Sequence, residues 1–289
     1  MKIRKAIFPV AGFGTRFLPV TKSQPKEMLP IVDKPIIHYL VEEAVASGIE
    51  EIILITGRGK KAIEDYFDQS FELEYNLVEK GKHQLLQAIR EIPNLARFVY
   101  LRQPIPRGDG HAILCARDLI GDEPCAVIYG DDLVDSEIPA LAQLLEVYNQ
   151  TNQPVIGLTK VAPTDVSSYG IVETSDHNNL LQIKSLIEKP EQEDAPSNLA
   201  VIGKYILTPQ IFEILAKVEE GSVGDGEIRL ADAFIIALKH NYPLYGKLID
   251  GKRYDAGSKI GFLKATIDFA LKRPELATEL RAHLKNIDL

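Results

Sequence analysis

The chain has 289 residues, 45% of them hydrophobic and 26% charged, with a formal net charge of -8. That length supports a large core, in one extended domain or two closely joined lobes, while the acidic balance argues against nucleic acid or anionic membranes as main partners. No apolar run approaches the ~20 residues of a membrane span, no secretory apolar core opens the sequence, and Cys115 and Cys125 lack disulfide-framework or zinc spacing, so a cytoplasmic enzyme with reduced thiols is expected.

The first predicted element is a short apolar strand, Ala6 to Val10, running into Ala11-Gly12-Phe13-Gly14-Thr15-Arg16. A strand followed by a glycine loop is a phosphate cradle. Two cations of the loop, Arg16 and Lys26, flank it, with Lys22 between them, which points to stabilised phosphoryl or nucleotidyl charge. The dinucleotide fingerprint needs a third glycine where Phe17 stands, and Gly59-Lys60 is followed by Lys61 rather than by the Ser or Thr of a P-loop. Without the cations, Gly12 and Gly14 are equally consistent with an ordinary strand-to-loop turn.

Beyond the loop, the spacing of Ile37, Leu40, Val41, Ala44 and Val45 predicts a helix from Ile36 to Ser47, with Gly48 ending it. Ile52–Ile55 reads as a buried parallel strand, followed by helical segments through Arg90. Phe98–Leu101 is the third strand, His111–Arg117 is helical, Cys125–Tyr129 is the fourth strand, and Leu141, Leu144, Leu145 and Tyr148 mark another helix face. This alternation predicts an α/β fold, a three-layer α/β/α sandwich with a mainly parallel mixed sheet. After Pro154 short strands follow one another, at Val155–Val161, Gly170–Glu173, Leu181–Ile187 and Ala200–Leu207, as a strand-rich portion sharing the first sheet. Helices are then expected at Ile211–Lys217 and Glu227–His240, strands at Tyr242–Leu248 and Lys252–Tyr254, and helices at Ile260–Leu271 and Glu275–Leu284.

Ligands of open α/β sheets bind beyond the carboxyl ends of strands. The glycine loop, Gln103 and Asp131 all follow such ends. Asp131 is the natural first ligand for a magnesium ion held by one or two carboxylates and phosphate oxygens, and Asp255 could be the second, although a helix-capping aspartate explains Asp255 equally well. Asp131 alone is also ordinary turn chemistry. The six histidines are scattered, and covalent catalysis is not indicated.

The ordered motifs AGFGTRFLPVTKSQPKEMLPIVDKP, FDQSFELE, GDGHA, YGDD, YGIV, EKP, PSNLAVIGKY, GDGEIRLADA and KRYDAGSKIGF resemble the bacterial UTP–glucose-1-phosphate uridylyltransferases, or UDP-glucose pyrophosphorylases, among the sugar nucleotidyltransferases. The resemblance runs from about Ile3 to Phe262 and favours the uridylyl over the thymidylyl branch at PKEMLP and FELE. It implies one nucleotidyltransferase domain over 1–289, with a nucleotide-binding portion at 1–153, a sugar-binding portion at 154–257 and C-terminal helices at 258–289. It implies that a phosphate oxygen of glucose 1-phosphate attacks the α-phosphorus of UTP, with Mg2+ present, giving UDP-glucose and pyrophosphate. By motif, Ala11, Gly12, Gly14, Thr15 and Glu27 would lie on the nucleotide, Arg16 against the leaving pyrophosphate, and Lys26 against the reacting phosphates. Gln103 and Gly108 would read the uracil edge. Asp131 and Asp255 would hold the metal, Gly170 and Glu188 the sugar hydroxyls, and Lys189 the sugar's phosphate.

The family pattern commonly has Gln and Thr where this chain has Arg229 and Ala231, and Val20, Ser23 and Gln24 are variants within the loop. None of these removes an expected catalytic group. A non-catalytic paralogue, a dinucleotide-dependent oxidoreductase and a sister enzyme for another base or sugar are the alternatives, the last the closest rival. The resemblance also implies a homo-oligomer, a dimer or tetramer. Phe262, Leu263, Phe269, Leu276, Leu280 and Leu284 supply either an interface or packing on the chain's own core.

Overall fold

The computed structural model describes residues 2–221 and 226–287. In chain order the strands are β1 Lys5–Pro9, the short pair β2 Pro30–Ile31 and β3 Lys34–Pro35, β4 Glu51–Thr56, β5 Arg97–Arg102, β6 Cys125–Ile128, β7 Asp132–Asp135, β8 Val155–Lys160, β9 Gly170–His177, β10 Leu180–Glu188, β11 Leu199–Leu207, β12 Tyr245–Leu248 and β13 Lys252–Asp255. One sheet takes its strands in the order β5-β4-β1-β6-β11-β8-β12-β10-β9. The run from β5 to β6 is parallel. Beyond it β11 lies antiparallel to β6 and β8, β12 is parallel to β8, and β10 is antiparallel to β12 and β9.

The parallel strands carry apolar residues on both faces because helices cover both. Ala6, Phe8, Ile52, Leu54, Ala126 and Ile128 pack one way, against the helices Ile36–Ala46, Ala140–Thr151 and Lys259–Leu271. Ile7, Ile53, Ile55 and Val127 pack the other way, against Asp109–Leu114, Pro209–Gly221 and Leu230–Lys239. Alternate residues of one strand thus serve two cores. The strand-rich portion expected after Pro154 joins this same sheet rather than building a second one.

Chain order fixes where a ligand can enter. From β1 the chain crosses to β4 and β5 on one side, then returns to place β6 on the other. The loops after β1 and β6 therefore part at a topological switch point, where open α/β sheets bind ligands.

One predicted helix starts later than expected. Glu227–His240 is helical only over Leu230–Lys239. Upstream, Ile228 donates its N–H to the Arg107 carbonyl at 2.7 Å and accepts from the Gly110 N–H at 2.9 Å. A backbone bonded across the chain cannot also close helical turns, so Glu227 and Arg229 become part of a cleft wall. Likewise β12 begins at Tyr245 rather than Tyr242, because the Tyr242 N–H is used on the Ala237 carbonyl at the end of the preceding helix. Gly224 and Asp225, the first residues of the GDGEIRLADA motif, lie outside the described residues. Phe262 and Phe269 of the C-terminal helix Lys259–Leu271 pack on their own core, edge-on to Phe17 and Tyr39, while Leu263 on the same helix is exposed. Among the described residues no helix is long and apolar enough to cross a membrane.

Candidate active site

Two cavities meet at the switch point. The smaller, about 380 Å³, is lined by Ala11, Gly12, Lys26 and Gln103. The larger, about 780 Å³, is lined by Arg16, Gly170, Glu188, Lys189, Arg253 and Asp255. Gly108, Asp109, Tyr129, Asp131 and Glu227 line both, so the two are lobes of one cleft.

The glycine loop shapes the small lobe through Gly14. Its φ of 65° is left-handed, and a Cβ there would stand 3.0 Å from the Lys26 Cβ. Glycine is required on both counts. The close approach packs the Lys26 stem beneath the loop and aims its ammonium at Asp131, with Nζ 2.5 Å from Oδ2. Burial pulls the Lys26 ammonium down, but the charges of Asp131 and Glu27 outweigh it and hold the group above its ordinary value. Lys26 is therefore held in its cationic form, which would suit a phosphate.

Two carboxylates face each other beside it. A Cβ on Gly257 would overlap Asp131 Oδ2 and stand 3.0 Å from Asp255 Oδ1, so both oxygens approach a single point. The Gly257 N–H orients Asp255 from 3.0 Å, and the Ala256 N–H donates to the Asp131 carbonyl at 2.8 Å. Burial, then the charge of Asp131, raises the Asp255 carboxyl above the ordinary range. Two carboxylates facing each other in this way, next to a phosphate-sized cleft, fit a hard divalent cation completed by phosphate oxygens and water. No group of three or more His, Cys, Asp or Glu side chains that could hold a metal ion is found among the described residues.

In the larger lobe, a Cβ on Gly170 would meet Glu188 Oε2 at 2.9 Å. Lys189 sits at φ 47°, unusual for a side-chain-bearing residue. Its N–H is tied to the Tyr169 carbonyl at 3.0 Å, and its Nζ lies 3.8 Å from Glu188. Acceptor and cation thus stand together on the wall of the larger lobe. In the smaller lobe Gln103 is buried, its Nε2 bonded to the Gly108 carbonyl at 3.0 Å and to His111 Nδ1 at 2.8 Å.

Several expected residues lie apart from the cleft surface. Thr15 and Lys22 are exposed and line neither lobe. Glu27, expected on the nucleotide, is fully buried beneath the loop, paired with Lys60 at 2.8 Å. Its other oxygen has no hydrogen-bond partner. Burial pushes the Glu27 carboxyl up and the Lys60 ammonium down. A buried pair carrying the turn that bears Lys26 fits a support role for Glu27.

The structure also adds residues that the motifs did not single out. Asp132 is buried and holds Arg253 through two bonds, at 2.8 and 2.9 Å, while accepting the Gly203 N–H at 2.8 Å. The Arg253 guanidinium lies 5.1 Å from the centre of the Tyr169 ring. Asp132 pairs with Asp255 across β7 and β13, so this bidentate contact braces both metal-candidate carboxylates and reaches the Tyr169 wall of the larger lobe. A second aspartate in Tyr-Gly-Asp-Asp was the available sequence signal; its arginine partner was not foreseeable.

The chain matches the family model described as nucleotidyl transferase over residues 5–270. It is 50% identical to the UTP–glucose-1-phosphate uridylyltransferase YngB of Bacillus subtilis (strain 168), over 99% of this chain and 96% of that protein. It is 48% identical to the UTP–glucose-1-phosphate uridylyltransferase of Staphylococcus epidermidis (strain ATCC 12228), over 100% and 99%. A crystal structure of UDP-glucose pyrophosphorylase complexed with UDP-glucose superposes with a TM-score of 0.84 at 45% identity, over 94% of this chain and all of that one. UTP-bound UGPase from Acinetobacter baumannii gives 0.91 at 38%, over 99% and 100%. With the glycine loop, the paired carboxylates and the Glu188–Lys189 pair in one cleft, and similarity running almost end to end, the chain belongs to the nucleotidyl transferase family, among its UTP–glucose-1-phosphate uridylyltransferases.

Proposed function

We propose that this protein transfers the uridylyl group of UTP to α-D-glucose 1-phosphate, releasing pyrophosphate and forming UDP-glucose. The observation that carries the reading is the convergence of Lys26, Asp131 and Asp255 between a nucleotide-sized and a sugar-sized lobe. It agrees with the names of the relatives and with the UDP-glucose complex of the structural neighbour. A phosphate oxygen of the sugar attacks the α-phosphorus in line, and the bond to the bridging oxygen of pyrophosphate breaks. Such a transfer needs positioning and charge neutralisation more than covalent help.

Lys26 neutralises charge on the reacting phosphates, and Arg16 on the departing pyrophosphate. Arg16 is exposed and has no hydrogen bond or ion pair among the described residues, so its guanidinium is available to a ligand. Ala11, Gly12 and Gly14 support the nucleotide. Gln103 and Gly108 read the uracil, Gly170 and Glu188 hold sugar hydroxyls, and Lys189 holds the sugar's phosphate. Enzymes of this family generally use a divalent metal; here Asp131 and Asp255 would hold it, as Mg2+, and it would supply charge neutralisation at the phosphate oxygens. The setting is the cytoplasm. A homo-oligomer, dimer or tetramer, is supported by exposed Ile260, Leu263 and Leu276 on the C-terminal helices, and light scattering that finds only a 32.1 kDa species rejects it.

The test is pyrophosphate release with UTP, glucose 1-phosphate and Mg2+. Parallel reactions contain dTTP, ATP, CTP or GTP, and one contains EDTA. Release with UTP that EDTA abolishes is the expected result. Release only with another triphosphate reassigns the base, and no release from folded protein rejects the enzyme reading.

A further inference from the structure

Asp109 is a carboxylate in the cleft to which the foregoing gives no role. It stands in both lobes, where nucleotide and sugar would meet. Among the described residues it makes no ion pair. Its partner is the Tyr129 hydroxyl, which donates to Asp109 Oδ2. Tyr129 itself lines both lobes, and its ring packs 5.5 Å from that of Tyr205, which in turn lies 5.7 Å from Phe234.

The backbone carrying Asp109 has little room to move. Gly108 has φ 98°, and a Cβ there would sit 2.5 Å from the Ile228 carbonyl. Gly110 is bonded to the same carbonyl at 2.9 Å. The carboxylate is therefore presented from a rigid turn. Burial raises its proton affinity against the opposing pull of the Tyr129 hydroxyl and nearby backbone amides. Across the larger lobe its charge helps raise the Glu188 carboxyl too.

A carboxylate without a cationic partner repels a triphosphate, whose charge belongs beside Lys26 and Arg16. A neutral polyol suits it. Sugar hydroxyls are donors, and an ionised carboxylate is an acceptor only. The Tyr129 hydroxyl spends its proton on Asp109, which leaves its oxygen only acceptor capacity for a further bond. We infer that Asp109 and Tyr129 form a paired acceptor that selects sugar 1-phosphates by one hydrogen-bond donor on the ring, a hydroxyl or an ammonium group. This rests on the proposed function and adds a specificity device to it. A site built to bond a substrate hydroxyl rejects the analogue that lacks it, because its own polar groups are left unpaired.

The test measures kcat/KM for wild type, Asp109→Asn and Tyr129→Phe with glucose 1-phosphate and its 2-, 3-, 4- and 6-deoxy analogues, at saturating UTP. One deoxy analogue is expected to lose about 10⁴-fold in wild type, the scale on which a site built to bond a hydroxyl rejects the analogue that lacks it. Asp109→Asn should lose a similar factor with glucose 1-phosphate and almost nothing further with that analogue, while the KM for UTP moves less than about twofold. Tyr129→Phe should follow the same pattern more weakly, and carries the test alone if the aspartate variant does not fold. Equal losses across all sugars, or no loss in either variant, reduce the pair to packing and overturn the inference. A loss that tracks 2′-deoxy-UTP instead moves the pair to the ribose and overturns it as well. Wild-type protein silent with every sugar removes the proposed function and this inference together; an active wild type with uniformly impaired variants removes the inference alone.

Discussion

Lys26→Met separates charge from packing at the reacting phosphates. The Lys26 stem fills the space beneath Gly14, where the Cβ and Cγ are 3.0 and 3.4 Å from the position a Gly14 Cβ would take. Methionine keeps an unbranched stem of similar volume and loses only the ammonium. The ion pair that disappears is partly hydrated, with the two side chains 23% and 22% exposed, so the stability cost is small and the melting temperature should stay within about 3 °C of wild type. Catalysis should respond differently. A preorganised cation aimed at developing charge is worth about 10²–10³ in kcat, or roughly 2.7–4 kcal/mol. The same substitution removes the positive charge that offsets Asp131, so the carboxylate pair should bind metal more tightly. The expected signature is a kcat lower by about 10²–10³ with a lower half-saturating Mg2+ concentration. Steady-state pyrophosphate release across a Mg2+ series reads both numbers. A variant with near-wild-type kcat at saturating metal would show that Lys26 merely holds Asp131 in the free protein, and would refute its place in the chemistry.

Two further outcomes follow from buried charge. Lys60→Met leaves Glu27 unpaired in surroundings where it is fully buried, and breaking such a pair costs about 3–5 kcal/mol, which corresponds to a fall of roughly 6–20 °C in melting temperature for a chain of this size. The Glu27 carboxyl is already raised above 4.5, meaning that the folded state holds its proton more tightly than the unfolded one. The deficit should therefore shrink as pH falls towards that ordinary value, and Glu27→Gln/Lys60→Met should melt higher than Lys60→Met; a small, pH-independent loss seen by scanning fluorimetry argues against a charged pair. At the proposed metal site, burial and Asp131 raise Asp255 above its usual 3.8, so protons should compete with a bound cation above the ordinary carboxylate range. Activity should fall on the acid side, and raising Mg2+ should move that limb to lower pH; pH–rate profiles superimposable at two metal concentrations would contradict a metal held by these carboxylates.

The sequence by itself determined most of the layered architecture. Ile52–Ile55 and Cys125–Ile128 are uninterrupted apolar runs, a pattern that demands cover on both faces, and both are fully buried. Ile37, Leu40, Val41 and Ala44 carry a helical period that survives in Ile36–Ala46. Such patterns are local, so periodicity exposes them. The glycine loop with Lys26 reads as a phosphate cradle because loop chemistry constrains residue type over short spans, whereas Asp131 alone reads equally as turn chemistry and Asp255 as a helix cap.

Only the tertiary structure decided which of these groups meet. Glu27 reads as a loop acid, yet its partner Lys60 lies 33 residues away, and the fold turns its carboxylate beneath the cleft. Asp132 and Arg253 are joined by the pairing of β7 with β13, a register that neither segment encodes alone. Glu227 reads as helical because its own window favours a helix, but a cross-chain bond between Ile228 and Arg107 keeps that segment extended against the 107–110 turn. Asp109 and Tyr129, 20 residues apart, come together because β6 ends opposite that turn. Local preference is a sum over neighbours in sequence, whereas a site is set by long-range pairing, and the energy of burying charge is known only once its surroundings have formed.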